Sequence, residues 1–174
     1  VGLNEVDEGQ EGRLRDLAAD LGYDVYFTPP NNPFGTLRNG MIAPLVPFGV
    51  KGFAWYQGEA NVTEAAEYAR LMPALIADWR AAFGGGNQPF LLTQLAAFGP
   101  EVDRPVNSAW AALRDVQRQV AAADPMVGMA SAVDVGSPYD IHPADKLRVG
   151  QRLALHARKL AYGEAVAASG PAPL

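Results

Sequence analysis

The chain contains no cysteine, which removes disulfides and thiolate chemistry and leaves the redox compartment unreadable. Its only histidines are His142 and His156, too few for a zinc site built from this chain alone. No apolar run approaches the roughly 18 residues of a membrane-spanning helix. The formal net charge of −5 comes with no basic cluster and no interleaving of aromatic and basic residues. Nucleic acid and anionic membrane are therefore poor partners on charge grounds. The opening Val1-Gly2-Leu3-Asn4-Glu5 lacks the charged-then-apolar pattern of a signal peptide. The absence of an initial Met leaves room for a removed leader or a longer N-terminal region. Serine occurs at positions 108, 131, 137 and 169, and none stands in a Gly-Xaa-Ser-Xaa-Gly or Gly-Asp-Ser setting. The sequence thus shows no convincing nucleophile.

Against these absences, 49% of the 174 residues are hydrophobic and 19% are charged, the balance of a soluble globular chain. That length suits one domain with a sizeable core. The domain is expected over residues 1–165, followed by a small-residue, Pro-containing flexible tail at 166–174.

Hydrophobic spacing orders the elements. Residues 9–21 read as an amphipathic helix stopped by Gly22, and residues 23–27 as a strand. Three prolines between 29 and 33 impose a loop. An apolar stretch at 40–48, punctuated by Pro44 and Pro47, leads into a strand at 50–56. From Asn61 to Phe83 the apolar stripe Tyr68, Leu71, Met72, Leu75, Ile76, Trp79 and Phe83 predicts a helix. Asn61 with Glu64 resembles a capped start, and Pro73 is expected to kink or split the helix. Gly84-Gly85-Gly86 ends it as a turn, since no Lys-Ser or Lys-Thr pair follows to make a phosphate loop. A strand at 90–95, a helix at 107–123 and a strand at 127–133 come next. A last helix at 144–162 uses Leu147, Leu153, Ala157 and Leu160 as its inner face. Repeated strand–helix alternation implies right-handed crossovers and a mainly parallel sheet.

Ligands of such folds bind at the carboxyl ends of the strands. Two polar segments fall there. Gln57, Gly58, Glu59 and Asn61 follow the strand at 50–56 and offer amide donors suited to a developing negative charge, or simply a well-bonded turn. Asp140 and His142 follow the strand at 127–133. The histidine suits general base work, and either Asp140 or Asp134 could orient its ring. The plain alternative for both is helix capping. His156, inside a helical pattern, reads as a surface or packing residue, and the three tryptophans as core. Ser137, close to His142, is the candidate nucleophile within the chain.

Five ordered blocks carry a family resemblance. They are Leu37-Arg38-Asn39-Gly40-Met41-Ile42-Ala43-Pro44-Leu45, Lys51-Gly52-Phe53-Ala54-Trp55-Tyr56-Gln57-Gly58-Glu59-Ala60-Asn61, Pro73-Ala74-Leu75-Ile76-Ala77-Asp78-Trp79-Arg80, Pro89-Phe90-Leu91-Leu92-Thr93-Gln94-Leu95 and Asp140-Ile141-His142-Pro143. Over residues 36–163 the chain resembles the sialate O-acetylesterases, carbohydrate esterases of the SGNH hydrolase superfamily. The resemblance implies a three-layer α/β/α, flavodoxin-like fold. It also implies hydrolysis of sugar O-acetyl esters through a serine acyl-enzyme, with no metal or organic cofactor. His142 matches the family's catalytic histidine, with Asp140 before it. Gln57, Gly58, Glu59 and Asn61 match the block tied to the oxyanion and substrate, and Asn39 lies in the first matching segment. Periplasmic or secreted placement is implied for a bacterial-type enzyme.

The family's Gly-Gln-Ser-Asn nucleophile block and its Gly-rich second block do not occur here. One residue, not the usual two, separates Asp140 from His142. The superfamily's first strand lies inside the sheet, so its loss would expose strand edges. The strand at 23–27 could take that place, another chain (a second copy or a complementing chain) could fill it, or this could be the later part of a larger esterase. The alternative reading is a non-catalytic carbohydrate- or partner-binding relic. The expected ligand is an acetylated carbohydrate or small ester.

Overall fold

Three short apolar segments pair side by side and in parallel. The computed structural model describes residues 38–46, 48–104 and 106–170, in two compact units that divide at Gly49. Of the first unit, the described part is a π-helical turn, Arg38–Ile42, and a 3-10 turn, Ala43–Leu45. Pro44 suits the start of that second turn, where its missing N–H is not needed. The helix expected at 9–21 and the strand at 23–27 lie outside the described residues.

In the second unit β1 (Phe53–Trp55), β2 (Phe90–Gln94) and β3 (Val127–Ser131) form a sheet in that order. Phe53, Phe90 and Val127 share one register level. The helices are α1 (Ala65–Ala82), α2 (Ala109–Ala123) and α3 (Lys146–Tyr162). Side chains alternate across each strand. Phe53, Phe90, Leu92 and Val127 meet Tyr68, Met72 and Ile76 of α1 and Leu113 and Val120 of α2 in the main core. Ala96, Ala132 and Val135 pack with Val149 of α3 in a second cluster. Gly128 lies so close to His156 of α3 that a Cβ there would meet the imidazole Nδ1 at 2.7 Å. Helices thus cover both faces of a parallel sheet, the α/β fold expected. Among the described residues no strand pairs with the outer edge of β1 or of β3.

Four of the helix ends have a local cause. The Ser108 hydroxyl accepts from the Ala111 N–H to cap α2, and Asp145 accepts from Arg148 to cap α3. Gly163, in the left-handed region at φ 70°, closes α3. Helix α1 ends as expected at the glycine run, where the Gly85 N–H reaches the Arg80 carbonyl at 2.8 Å. The Arg80 guanidinium then ties the amino-end loops together, donating to the Gln88 and Met126 carbonyls and to the Asp124 carboxylate. Burial opposes ionisation of Asp124, but the hydrogen bonds from Arg80 and the Met126 N–H outweigh it and hold the carboxyl below its usual range.

Some expectations are corrected. Pro73 does not split α1, because it lies on the exposed side, where water can serve the carbonyl its ring leaves unbonded. The helix starts at Ala65 after a 3-10 turn, Glu59–Glu64, so Asn61 is not its cap. Leu147 is 73% exposed, whereas Val149 and His156 are buried. Of the expected inner face only Leu147 points to solvent, while Leu153 packs against the second cluster and Gly128 makes room for the His156 imidazole.

Candidate functional site

The loop after β1 is held from below. Its Gln57 carbonyl accepts from the Tyr68 hydroxyl at 3.1 Å and from the Gln117 side-chain amide at 3.3 Å. The Gln117 Oε1 in turn accepts from the Leu95 N–H at 2.9 Å. One α2 amide, 1% exposed, therefore pins both the loop after β1 and the start of the loop after β2. The next residue, Gly58, has φ 147°, a conformation L side chains rarely adopt. A Cβ there would crowd Leu113 at 3.1 Å and Gln117 at 3.2 Å. Both reasons require glycine. Above this anchor the Gln57 amide donates to Asn61 Oδ1 at 2.7 Å. That bond fixes the Asn61 amide and leaves its Nδ2, a donor, on the opposite edge. Glu59 begins the 3-10 turn, and its charge helps raise the affinity of the Tyr56 and Tyr68 phenols for their protons.

Tyr56 connects this loop to the one after β3. Its ring packs on the cluster of Ala132, Val135 and Val149, and the Lys146 ammonium stands 5.1 Å from the ring centroid. Burial, with the charge of Glu59, pushes the phenol pKa up to about 12, so the group stays protonated at neutral pH. Its hydroxyl is buried and finds no hydrogen-bond partner among the described residues.

The loop after β3 carries the predicted histidine. His142 and Asp140 are both well exposed, with Nδ1 3.7 Å from Asp140 Oδ1. The same carboxylate oxygen accepts the His142 backbone N–H at 2.8 Å. Asp140 thus bends the loop into a turn that brings carboxylate and imidazole together despite their close spacing. Asp134, the other candidate, has both oxygens taken by the two terminal nitrogens of Arg152. That guanidinium holds its carboxyl well below the usual carboxylate range. Asp134 belongs to an ion network with Arg152 and Arg148.

The loops after β2 and β3 touch along their backbones. Phe98 and Ser137 form a parallel bridge, and a Cβ on Gly136 would overlap the backbone of Ala97. Ser137 Oγ accepts the Tyr139 N–H at 3.2 Å. Ser131, at the end of β3, donates to Gln94 Oε1 at 2.9 Å, while the Gln94 amide donates to the Arg114 carbonyl. Asn39 falls in the turn Arg38–Ile42 of the first unit, and its side chain lies outside the described residues.

Sequence reasoning picked Gln57, Gly58, Asn61, Asp140 and His142, all on loops at the carboxyl end of the sheet. It missed Gln117, although a glutamine between Leu113 and Val120 on an apolar stripe was a usable sign. It also missed Tyr56 as the link between loops. A separate groove follows the outer edge of β3 and is lined by Arg118, Asp134, His156, Lys159 and Ala168; of the predicted candidates only Asp134, already held by Arg152, borders it. The described part of the tail runs along it, with Ala168 buried. Among the described residues no group of three or more His, Asp or Glu gathers as a metal site, and no helix is long and apolar enough to cross a membrane.

Comparison with known proteins gives a consistent result. The family model described as "Carbohydrate esterase, sialic acid-specific acetylesterase" matches residues 36–159. Human sialate O-acetylesterase is 39% identical over 169 residues, a match covering 88% of this chain and 32% of that protein. The rat sialate O-acetylesterase is 37% identical, with 79% and 28% covered. A crystal structure of a carbohydrate acetylesterase from Xanthomonas citri superposes with a TM-score of 0.73 at 46% identity, covering 88% of this chain and 35% of that one. The chain therefore spans about a third of the length of these relatives. With the family model covering most of its length and these identities, the chain belongs to the carbohydrate esterase family of sialic acid-specific acetylesterases.

Proposed function

We propose that this chain carries the base and oxyanion part of an esterase that hydrolyses O-acetyl esters of sugars. The observation that carries the reading is the pairing of Asp140 with His142 on the loop after β3, linked through Tyr56 to the Gln57–Asn61 pair after β1. In this reading a serine hydroxyl attacks the acetyl carbonyl and His142 takes its proton. His142 returns that proton to the sugar oxygen as the C–O bond breaks, leaving an acetyl-enzyme. Water, deprotonated by the same imidazole, then releases acetate and restores the serine. Asp140 orients the ring. Amide donors of Asn61 and the Gln57–Gly58 turn stabilise the tetrahedral oxyanion.

The described serines do not share one candidacy. Ser108 caps α2, and Ser131 gives its proton to Gln94. Ser137 accepts a backbone N–H and still has its own proton to give. It is the nucleophile candidate within this chain, although the five matching blocks include no serine.

Acetate release from p-nitrophenyl acetate and from an O-acetylated sugar, compared with His142→Ala, tests the reading. Turnover reduced about 10²- to 10⁴-fold by the substitution is the expected result. Folded protein that releases no acetate from either substrate would instead favour the binding relic or a part of a larger esterase.

A further inference from the structure

We infer that Phe98 is a sugar-stacking residue, whose open ring surface receives the apolar C–H face of the pyranose bearing the acetyl group. The inference rests on the acetyl-sugar reading above and adds the residue that holds the ring. Phe98 lies in the loop after β2, at the site end of the sheet, and 42% of it remains open to solvent. Its ring thus offers an apolar surface to solvent at that end of the sheet.

The ring is also braced. It packs against Trp110 with centroids 5.4 Å apart and planes tilted by 44°. Trp110 is itself fixed by donating its indole N–H to the Ala96 carbonyl at 2.7 Å. Such a ring has little rotamer freedom left to lose on binding. Tyr139 is 94% exposed, and Phe98 is preferred because Trp110 braces its ring.

Its position is tied to the proposed base. Phe98 bridges Ser137, five residues before His142 on the same loop. Gly136 closes the backbones further by its approach to Ala97. The platform and the His142 loop therefore meet along one rim. A sugar lying on Phe98 keeps one ring face dry and leaves its polar groups and acetyl substituent directed to the amides and the imidazole. That division of labour suits a pyranose, which has both an apolar face and a hydroxyl-rich edge.

Binding of N-acetylneuraminic acid by titration calorimetry, and steady-state hydrolysis of its O-acetyl ester, test the assignment in the protein, Phe98→Ala and Phe98→Tyr. Expected for Phe98→Ala is a rise of about five- to tenfold in both Kd and KM, with a much smaller change in kcat. Phe98→Tyr should restore both. An unchanged Kd in Phe98→Ala, a loss that tyrosine does not restore, or absence of sugar binding by the unaltered protein each overturns the stacking role. Sugar binding that depends on Phe98 without any acetate release upholds the platform and rejects the esterase reading. Ester hydrolysis with KM indifferent to Phe98 does the reverse.

Discussion

Gln117 reaches from the buried face of α2 to the carbonyl of Gln57, sixty residues earlier in the chain, at 3.3 Å. Its other end accepts the Leu95 N–H, so a single amide joins the loops that follow β1 and β2. Replacing it with leucine, close in volume, keeps the packing but strands the Leu95 N–H in a dry setting. A buried donor without a partner costs about 1–3 kcal/mol. Gln117→Leu should lower stability by that amount in chemical denaturation. It should also reduce acetate release if the Gln57 loop holds the oxyanion donors. Unchanged stability would show that another group serves Leu95.

Gly136 is required by close approach and not by backbone angle, since its φ of −75° is open to any residue. Its neighbour is the Ala97 backbone, which cannot swing aside as a side chain can. Gly136→Ala should therefore push apart the loops after β2 and β3. Loss of melting temperature together with reduced sugar binding is expected. By contrast, Gly150→Ala, where a Cβ meets nothing within 4 Å, should be neutral or mildly stabilising within its helix.

Protonation of His156 should make the fold acid-sensitive. Burial lowers the affinity of this imidazole for a proton, a hydrogen bond with the Met129 backbone partly opposes that, and the Lys159 charge adds to the lowering. Its folded pKa thus lies below its unfolded value of about 6.5. Above the unfolded value both states are neutral and the group contributes no pH dependence. As pH falls below it, the unfolded chain takes up the proton first and stability declines until the folded pKa is passed. Melting temperature against pH should show this decline, and a folded His156→Gln variant should lose that part of it. An identical profile in the variant would assign the acid sensitivity to other groups.

Asp140 combines a turn-forming hydrogen bond with a charge beside the imidazole. Asparagine can still accept the His142 N–H through its side-chain oxygen but carries no charge. Asp140→Asn should therefore leave folding intact and lower kcat for acetyl esters, by less than His142→Ala does. Asp140→Ala, which also removes the turn bond, should be worse than asparagine. Equal rates for the asparagine variant and the unaltered protein would remove Asp140 from the mechanism.

The sequence by itself determined the strand–helix alternation, the stripe Tyr68–Met72–Ile76 and the glycine stop of α1. These depend on local spacing and local backbone preference, which neighbouring residues carry. The same strand pattern put Gln57–Asn61 and Asp140–His142 after the carboxyl ends of strands, where they lie. Tertiary structure alone decided that Asn61 pairs with Gln57 instead of capping a helix. It also decided that Asp134 belongs to Arg152, and that His156 turns inward while Leu147 faces water. Gln117 beneath the site and Phe98 at its rim gained their places in the same way. Apart from the Gln57–Asn61 pair, which closes within its own loop, these outcomes depend on contacts between separate segments brought together by the parallel crossovers. A glycine at 128 can admit an imidazole, and one at 136 can admit a backbone, only once the partner element is in position; periodicity along one segment carries no record of that.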